Sequence, residues 1–332
     1  MKNTYDYQKE KASFVKPSMS YSGGDYEAWK SLARNKLREL LGMDKYLCPH
    51  TPALIEYDKQ QDGFREIRFL METEEGYFVP CHLWLPDGIE KPPVIICLQG
   101  HSPGMHISMA RLKSPNEAHL IEDGDRDFCV RAVKEGVAAV ALEQRNFGEV
   151  QGEGKCLDSA LTALLYGRTT IGERVHDVTV CIDTLQKQFA DLVDTDKICC
   201  MGNSGGGTAT AYTAALEDRI KVAVPSCAMC TYRDSIVDLS HCACNYVPHI
   251  AEFFDMNDLM AMAAPKAFIQ VSGLNDSIFP IEAAKSVFEK GCSAYEQLDL
   301  EDNCALVIGN GGHRFYADDT WPLIHKMLKM TV

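Results

Sequence analysis

The most informative stretch of the sequence is Ile198-Cys199-Cys200-Met201-Gly202-Asn203-Ser204-Gly205-Gly206-Gly207. It joins an apolar strand to a helix through the motif Gly-x-Ser-x-Gly, and this context predicts the fold. A sharp strand-to-helix turn strains the backbone of its central residue and leaves no room for side chains two positions before and after it. Gly202 and Gly206 satisfy that demand. The turn therefore presents the Ser204 hydroxyl above the edge of a sheet, where it can act as a nucleophile.

The motif alone is a weak signal, because glycine and serine also fill ordinary loops. The alternative is a tight turn in which Ser204 only caps the following helix. The apolar strand before the motif and the Ala/Thr-rich helix after it favour the nucleophile.

A serine nucleophile needs a base, and in this arrangement the partners follow in the order serine, acid, histidine. His313 and His325 are the histidines beyond the last apolar run, Ala305–Ile308. His313 lies in a glycine-rich loop directly after that run, where parallel sheets carry their sites. His325 falls in the predicted C-terminal helix and is interpreted as a surface residue. His313 is the predicted general base.

The acid is expected after the preceding apolar strand, Ala267–Val271, and Asp276 lies there. An Asx turn is the alternative interpretation of Asp276. Asp234 and Asp238, which follow the strand containing Val222–Val224, are the reserve candidates.

Short apolar runs alternate with helical patterns from residue 94 onward, and this alternation predicts a parallel sheet with helices on both faces. An antiparallel hairpin, Phe64–Glu72 with Val79–Leu85, precedes it. This order is the α/β-hydrolase arrangement, a mostly parallel central sheet with an antiparallel N-terminal hairpin. We expect one domain over residues 1–332. Residues 1–60 form an N-terminal arm and helix, the first 23 of them irregular, and residues 228–262 form an insertion near the active site.

The composition limits the partners. The formal charge is −14, and such a surface repels nucleic acid and anionic membranes. No apolar run is long enough for a spanning helix, and the first residues carry no stretch suited to secretion. We expect a cytoplasmic protein whose partner is a small-molecule or carbohydrate ester, and the sequence leaves the oligomeric state open.

Two backbone N–H groups are expected to form an oxyanion hole, which stabilises negative charge on the reacting carbonyl oxygen. Gly205 follows the nucleophile and supplies one of them. By position, His101 supplies the other from the loop after Val94–Leu98.

Residues 77–325 resemble the acetyl xylan esterase and dienelactone-hydrolase-like branch of the α/β-hydrolases. The matching segments are Gln99-Gly100-His101, Arg145-Asn146-Phe147-Gly148-Glu149, Gly202-Asn203-Ser204-Gly205-Gly206, Asn275-Asp276-Ser277-Ile278-Phe279-Pro280 and Gly312-His313-Arg314-Phe315. The resemblance implies hydrolysis of short acyl esters, often acetyl groups on sugars, without a cofactor. The chain departs from the family at Ser204, which is cysteine in dienelactone hydrolases, and at Gln99, which replaces a histidine.

Most of the 14 cysteines are interpreted as small buried hydrophobes. Cys227, Cys230, Cys242 and Cys244, with His241, have side chains that suit zinc, but their spacing is not a standard structural-zinc pattern. Packing, or the wall of a pocket, is favoured over a metal site, and the sequence does not decide.

Two other functions stay open. A prolyl-oligopeptidase-like serine peptidase shares Gly-x-Ser-x-Gly-Gly, although no blade-like repeat precedes the hydrolase pattern. A non-catalytic or metal-binding protein on the same scaffold is the other alternative. The ordered set of Ser204, Asp276 and His313 favours a serine esterase.

Overall fold

The computed structural model describes residues 1–329, and its centre is a nine-stranded sheet with the strand order β1-β2-β3-β5-β4-β6-β7-β8-β9. The strands are β1 Leu54–Gln60, β2 Phe64–Glu74, β3 Tyr77–Pro86, β4 Pro93–Leu98, β5 Ala138–Leu142, β6 Asp194–Asn203, β7 Ile220–Ser226, β8 Ala267–Gly273 and β9 Cys304–Gly309.

The first three strands are antiparallel, and β3 also runs antiparallel to β5. All later neighbours pair in parallel, from β5–β4 through to β8–β9. The predicted fold class is therefore confirmed, and the hairpin of β2 and β3 lies where the sequence placed it.

Helices cover both faces of the parallel part. The helices of the described residues are α1 Thr4–Ala12, α2 Tyr26–Leu41, α3 His119–Glu122, α4 Phe128–Lys134, α5 Cys156–Leu165, α6 Thr170–Gln188, α7 Gly205–Leu216, α8 Ile250–Phe253, α9 Met256–Ala263, α10 Ile281–Gln297 and α11 Ala317–Leu328.

Strand β4 shows how the two faces are built. Its residues are buried throughout, as expected for a strand covered on both sides. Ile95 and Cys97 pack with residues of α4 and α11, whereas Val94 and Ile96 pack with residues of α6. Alternate side chains of one strand therefore supply two separate cores, and its carboxyl end lies beside the turn that follows β6.

Two parts of the N-terminal prediction are wrong. Residues 4–12 form α1 rather than irregular chain, and Leu54–Gln60 forms an edge strand of the sheet. Helix α1 has no buried residue, and β1 is almost entirely exposed, so neither leaves an apolar pattern in the sequence. Helix α5 was not predicted either.

Among residues 1–329, no helix combines the length and the apolar character that crossing a bilayer requires.

Candidate active site

The turn between β6 and α7 has the strained geometry that the sequence predicts. Ser204 has φ 56° and ψ −124°, a backbone conformation that non-glycine residues rarely adopt. A Cβ added to Gly206 would stand 2.1 Å from the Leu98 carbonyl oxygen, and one on Gly202 would stand 2.4 Å from the Gly206 carbonyl carbon. The strand and the helix therefore approach too closely for any side chain at either glycine.

The Ser204 side chain does not cap the helix that follows it. Among the described residues, α7 has no side-chain capping hydrogen bond from Ser204, which is half-buried. The capping alternative is therefore wrong. The backbone N–H of Ser204 donates to the Ser226 carbonyl oxygen at 2.8 Å, which fixes the turn against the end of β7.

Asp276 and His313 meet at the same edge of the sheet, beyond β8 and β9. His313 Nδ1 lies 2.9 Å from Asp276 Oδ2. The other carboxylate oxygen, Oδ1, accepts the N–H groups of Ile278 at 2.8 Å and Phe279 at 3.1 Å. Asp276 is buried, and these bonds hold its carboxylate in one orientation.

The electrostatics of this pair favour a charged aspartate. Burial alone raises the pKa of Asp276, but the hydrogen bond and charge of His313, with the two backbone N–H groups, lower it below its ordinary value of 3.8. A carboxylate only accepts hydrogen bonds, so the proton of a neutral His313 ring resides on Nδ1. Nε2 is then the nitrogen able to accept a proton.

The loop of His313 and the turn of Ser204 both contact the end of β7. Ser226 accepts the Ser204 N–H through its carbonyl oxygen. Its hydroxyl donates to Asn203 Oδ1 at 2.9 Å and lies 3.4 Å from the Arg314 carbonyl oxygen. Cys227 Sγ bonds the same oxygen at 3.2 Å, and it lies within 4.8 Å of the facing atoms of Asp276 and His313. The turn of the nucleophile candidate and the loop of the base candidate are therefore neighbours at the end of β7. Cys227 was not predicted to lie there.

Phe279 is a second side chain that sequence reasoning missed. Its ring stacks on His313, with centroids 5.9 Å apart and an interplanar angle of 14°. His241 of the insertion meets Phe279 edge-on at 5.8 Å. The insertion therefore reaches the histidine loop through these rings. The position of Phe279, three residues after Asp276, was the available signal.

The predicted oxyanion loop lies against the nucleophile turn. A Cβ on Gly100 would stand 2.8 Å from Ser204 Cβ, so only glycine fits there. His101 Nδ1 lies 3.7 Å from the place where a Cβ on Gly205 would stand. Gly205 begins α7, where backbone N–H groups lack partners within the helix. The loop of His101 and the start of α7 are thus adjacent, as an oxyanion hole requires.

Gln99, the departure from the family pattern, is buried and has a structural role. Its Nε2 donates to Ser108 Oγ at 2.7 Å and to the Arg126 carbonyl oxygen at 2.8 Å. The amide therefore ties the start of the oxyanion loop to the segment before α4.

The alternative candidates lie elsewhere. His325 lies on α11, where its Nε2 is 3.3 Å from Glu135 Oε2. Asp234 bonds Thr231, and Asp238 forms an ion pair with Lys9.

The cysteines of the insertion do not form the cluster considered from sequence. Cys227 belongs with Asp276 and His313, whereas Cys242 and Cys244 meet His101 and Cys156, the first residue of α5. A hydrogen bond from Cys244 lowers the pKa of Cys156 to about 4 against the effect of burial.

Comparison with known proteins agrees with this architecture. Residues 166–316 match the prolyl oligopeptidase family. A Bacillus subtilis (strain 168) protein provisionally assigned as a hydrolase, YtaP, is 24% identical over 287 residues, which are 84% of this chain and 92% of YtaP.

Solved structures resemble the chain over almost its whole length. A protein from Bacteroides fragilis NCTC 9343, provisionally assigned as an acetyl xylan esterase, matches with a TM-score of 0.78 at 16% identity, covering 93% of this chain and 82% of its own. A glucuronoyl esterase from Solibacter usitatus matches with a TM-score of 0.69 at 14% identity, covering 95% and 97%. The chain therefore has the α/β-hydrolase fold and resembles the acetyl xylan esterase branch of that superfamily.

Proposed function

We propose that the chain is a serine carboxylic-ester hydrolase with Ser204 as nucleophile, His313 as general base and Asp276 as the acid that orients the histidine. The observation that carries the proposal is the 2.9 Å bond between His313 Nδ1 and Asp276 Oδ2 at the sheet edge that also holds the strained turn of Ser204. In this fold a serine, an acid and a histidine in that order form a catalytic triad.

The reaction runs in two stages. His313 Nε2 takes the proton of Ser204 as its oxygen attacks the ester carbonyl, and a tetrahedral intermediate forms. The intermediate collapses when His313 returns the proton to the departing alcohol, which leaves an acyl group on Ser204. Water, deprotonated by the same nitrogen, attacks this acyl-enzyme and releases the carboxylic acid.

The His313 ring bonds Asp276 through Nδ1, and no hydrogen bond among residues 1–329 joins its Nε2 to Ser204 Oγ. In enzymes without substrate such bonds are often long, and they shorten when the substrate binds. The proposal therefore requires that substrate binding draws these two atoms to hydrogen-bonding distance.

The oxyanion hole is assigned to the backbone N–H groups of His101 and Gly205. Preorganised donors aimed at the developing oxyanion supply a large part of the rate, and losing one such donor typically costs about 10²–10³ in kcat. The close fit of Gly100 against Ser204 supports this assignment, because it brings the backbone of the next residue beside the nucleophile.

The substrate class rests on the similar structures rather than on residues of this chain. Those structures include a protein provisionally assigned as an acetyl xylan esterase and a glucuronoyl esterase. Short acyl esters, with acetylated carbohydrates among them, are therefore the proposed substrates.

The test compares hydrolysis of p-nitrophenyl acetate and of acetylated xylo-oligosaccharides by the wild-type chain and by Ser204→Ala. The substitution is expected to lower kcat by about 10⁴–10⁶. Ser293→Ala, an exposed serine on α10, is the matched control and should leave the rate unchanged. Equal rates for the wild type and Ser204→Ala would refute the proposal.

A serine peptidase is the second candidate, and the match of residues 166–316 to the prolyl oligopeptidase family is what favours it. The same triad would then cleave an amide. Peptide p-nitroanilides with proline before the scissile bond, assayed beside the acetyl esters, separate the two functions. A higher kcat/KM on the peptides than on the esters would favour the peptidase.

A further inference from the structure

Four side chains with zinc-ligating atoms meet beside the nucleophile turn, and none of them belongs to the proposed triad. They are His101, Cys156, Cys242 and Cys244, which we call the Cys3His cluster. Their ligating atoms all lie within 4.8 Å of one another. His101 Nε2 lies 3.4 Å from Cys244 Sγ.

We propose that the Cys3His cluster binds one Zn²⁺ ion, which fixes the oxyanion loop to α5 and to the insertion. Three thiolates and one imidazole form a standard ligand set of structural zinc sites. With tetrahedral geometry, Zn–S near 2.3 Å and Zn–N near 2.0 Å, the ligand atoms stand about 3.5–3.8 Å apart. The four ligand atoms, which lie within 4.8 Å of one another, need to move only a short distance closer together to bind an ion.

The ligands come from three distant parts of the chain. His101 follows β4, Cys156 is the first residue of α5, and Cys242 and Cys244 lie in the insertion between β7 and β8. No short motif links them, so no sequence pattern predicts this set of four ligands. Cys244 is buried and His101 is exposed, so the cluster has an interior wall and an open side through which an ion can enter.

Arg174 provides an independent indication of a negatively charged group at this place. It is only 1% exposed, and its Nη2 donates to the Arg145 carbonyl oxygen at 3.1 Å. Its Nε and Nη1 have no hydrogen-bond partner within residues 1–329. A buried cation without full pairing is costly unless an opposite charge lies near it.

The net charge of the zinc-bound cluster is opposite in sign to the charge of Arg174. Three thiolates, a neutral imidazole and Zn²⁺ sum to one negative charge, opposite in sign to the guanidinium. Arg174 lies over the ring of Phe147, at 4.5 Å, and the same ring meets His101 edge-on at 5.0 Å. Arg174 Nη1 is also 3.6 Å from the place of a Cβ on Gly205. The guanidinium is therefore close both to the ring that contacts His101 and to the nucleophile turn.

The ion would position groups rather than react. Four protein ligands close a tetrahedral site and leave no position for water or substrate. A metal on His101 Nε2 puts the ring proton on Nδ1, the nitrogen that faces Gly205. The ring and the backbone of His101 are then held in one orientation beside Ser204.

The experiment measures metal in the full chain purified without chelators. We expect about one zinc per chain by elemental analysis. Cobalt added to the metal-free protein should give tetrahedral ligand-field bands and intense thiolate-to-cobalt charge-transfer absorption. The double variant Cys156→Ser/Cys242→Ser should lose both the zinc and the charge-transfer bands, whereas Cys48→Ser, a half-buried cysteine outside the cluster, should retain both.

Two results would overturn the proposal. One is fully reduced wild-type protein that holds no zinc and gives no thiolate-to-cobalt absorption. The other is an unchanged cobalt spectrum in the double variant. If the double variant does not fold, the wild-type spectrum decides alone. Ser204→Ala should keep its zinc, so failure of the metal site and failure of the esterase are distinguishable.

Discussion

At the residue scale, Asp276 uses its two carboxylate oxygens for different purposes. Oδ1 accepts two backbone N–H groups of its own loop, and Oδ2 faces His313 Nδ1. The first set fixes the carboxylate, and the second orients the imidazole. A substitution that changes only the second oxygen therefore isolates the orienting role from the structural one.

Asp276→Asn makes that change. Its Oδ1 can still accept the N–H groups of Ile278 and Phe279, but its amide NH₂ would face His313 Nδ1 and favour the wrong tautomer. We expect kcat for p-nitrophenyl acetate to fall by about 10⁴ with unchanged circular dichroism. Asp234→Asn is the matched control, because Asp234 was the competing acid in the sequence. A larger loss in Asp234→Asn than in Asp276→Asn would contradict the assignment.

The residues of the site divide by the kind of signal they leave in the sequence. Ser204, Asp276 and His313 each follow an apolar strand, so their common place at the sheet edge could be predicted. Arg174 and Cys156 could not, because each acts through a contact between distant segments. No local pattern records such contacts.

At the scale of elements, the turn between β6 and α7 depends on steric fit. A Cβ on Gly206 would lie 2.1 Å from the Leu98 carbonyl oxygen. Because the neighbouring atoms belong to the backbone, they cannot move aside as a flexible side chain could. The packing of α7 against β4 and β6 therefore requires glycine at this position.

Gly206→Ala should lower the free energy of unfolding by at least about 2 kcal/mol, since added volume in a tight contact forces the backbone to shift. Gly154→Ala is the control, because nothing lies within 4 Å of an added Cβ there. Urea unfolding of the three proteins measures the difference. Equal midpoints for Gly206→Ala and Gly154→Ala would show that the contact is not tight.

The elements that could be predicted are those with a buried face. Strands β4, β6, β7, β8 and β9 contain the apolar runs from which the parallel sheet was predicted, and α7 is the Ala/Thr-rich helix expected after the motif. Edge strand β1 and helix α1 bury almost nothing, so their sequences carry no period. Exposure, rather than irregular structure, explains why they were missed.

At the scale of the whole molecule, a buried ion-pair network joins the antiparallel strands to the parallel core. Arg145, which follows β5, contacts Asp177 of α6 through two bonds of 2.8 and 2.7 Å. It also forms an ion pair with Glu74 at the end of β2, at 2.6 Å. Asp177 is fully buried, so removing its partner would leave an unpaired charge in the interior.

Arg145→Met should lower the free energy of unfolding by about 3–5 kcal/mol, the usual cost of breaking a buried pair. Arg65→Met, which removes a similar two-bond pair with Asp58 on the exposed edge, should cost no more than about 1 kcal/mol. Chemical denaturation compares them. Similar losses in the two variants would mean that the buried network does not stabilise the junction.

The proposed esterase function depends on the activation of Ser204 by His313. Labelling with a fluorophosphonate probe, followed by peptide mass mapping, tests it most directly. We predict one adduct, on Ser204, with labelling slowed by about 10³ or more in His313→Ala and unchanged in His325→Ala, the other candidate base. An adduct on a different residue, or equally fast labelling of wild type and His313→Ala, would contradict the claim.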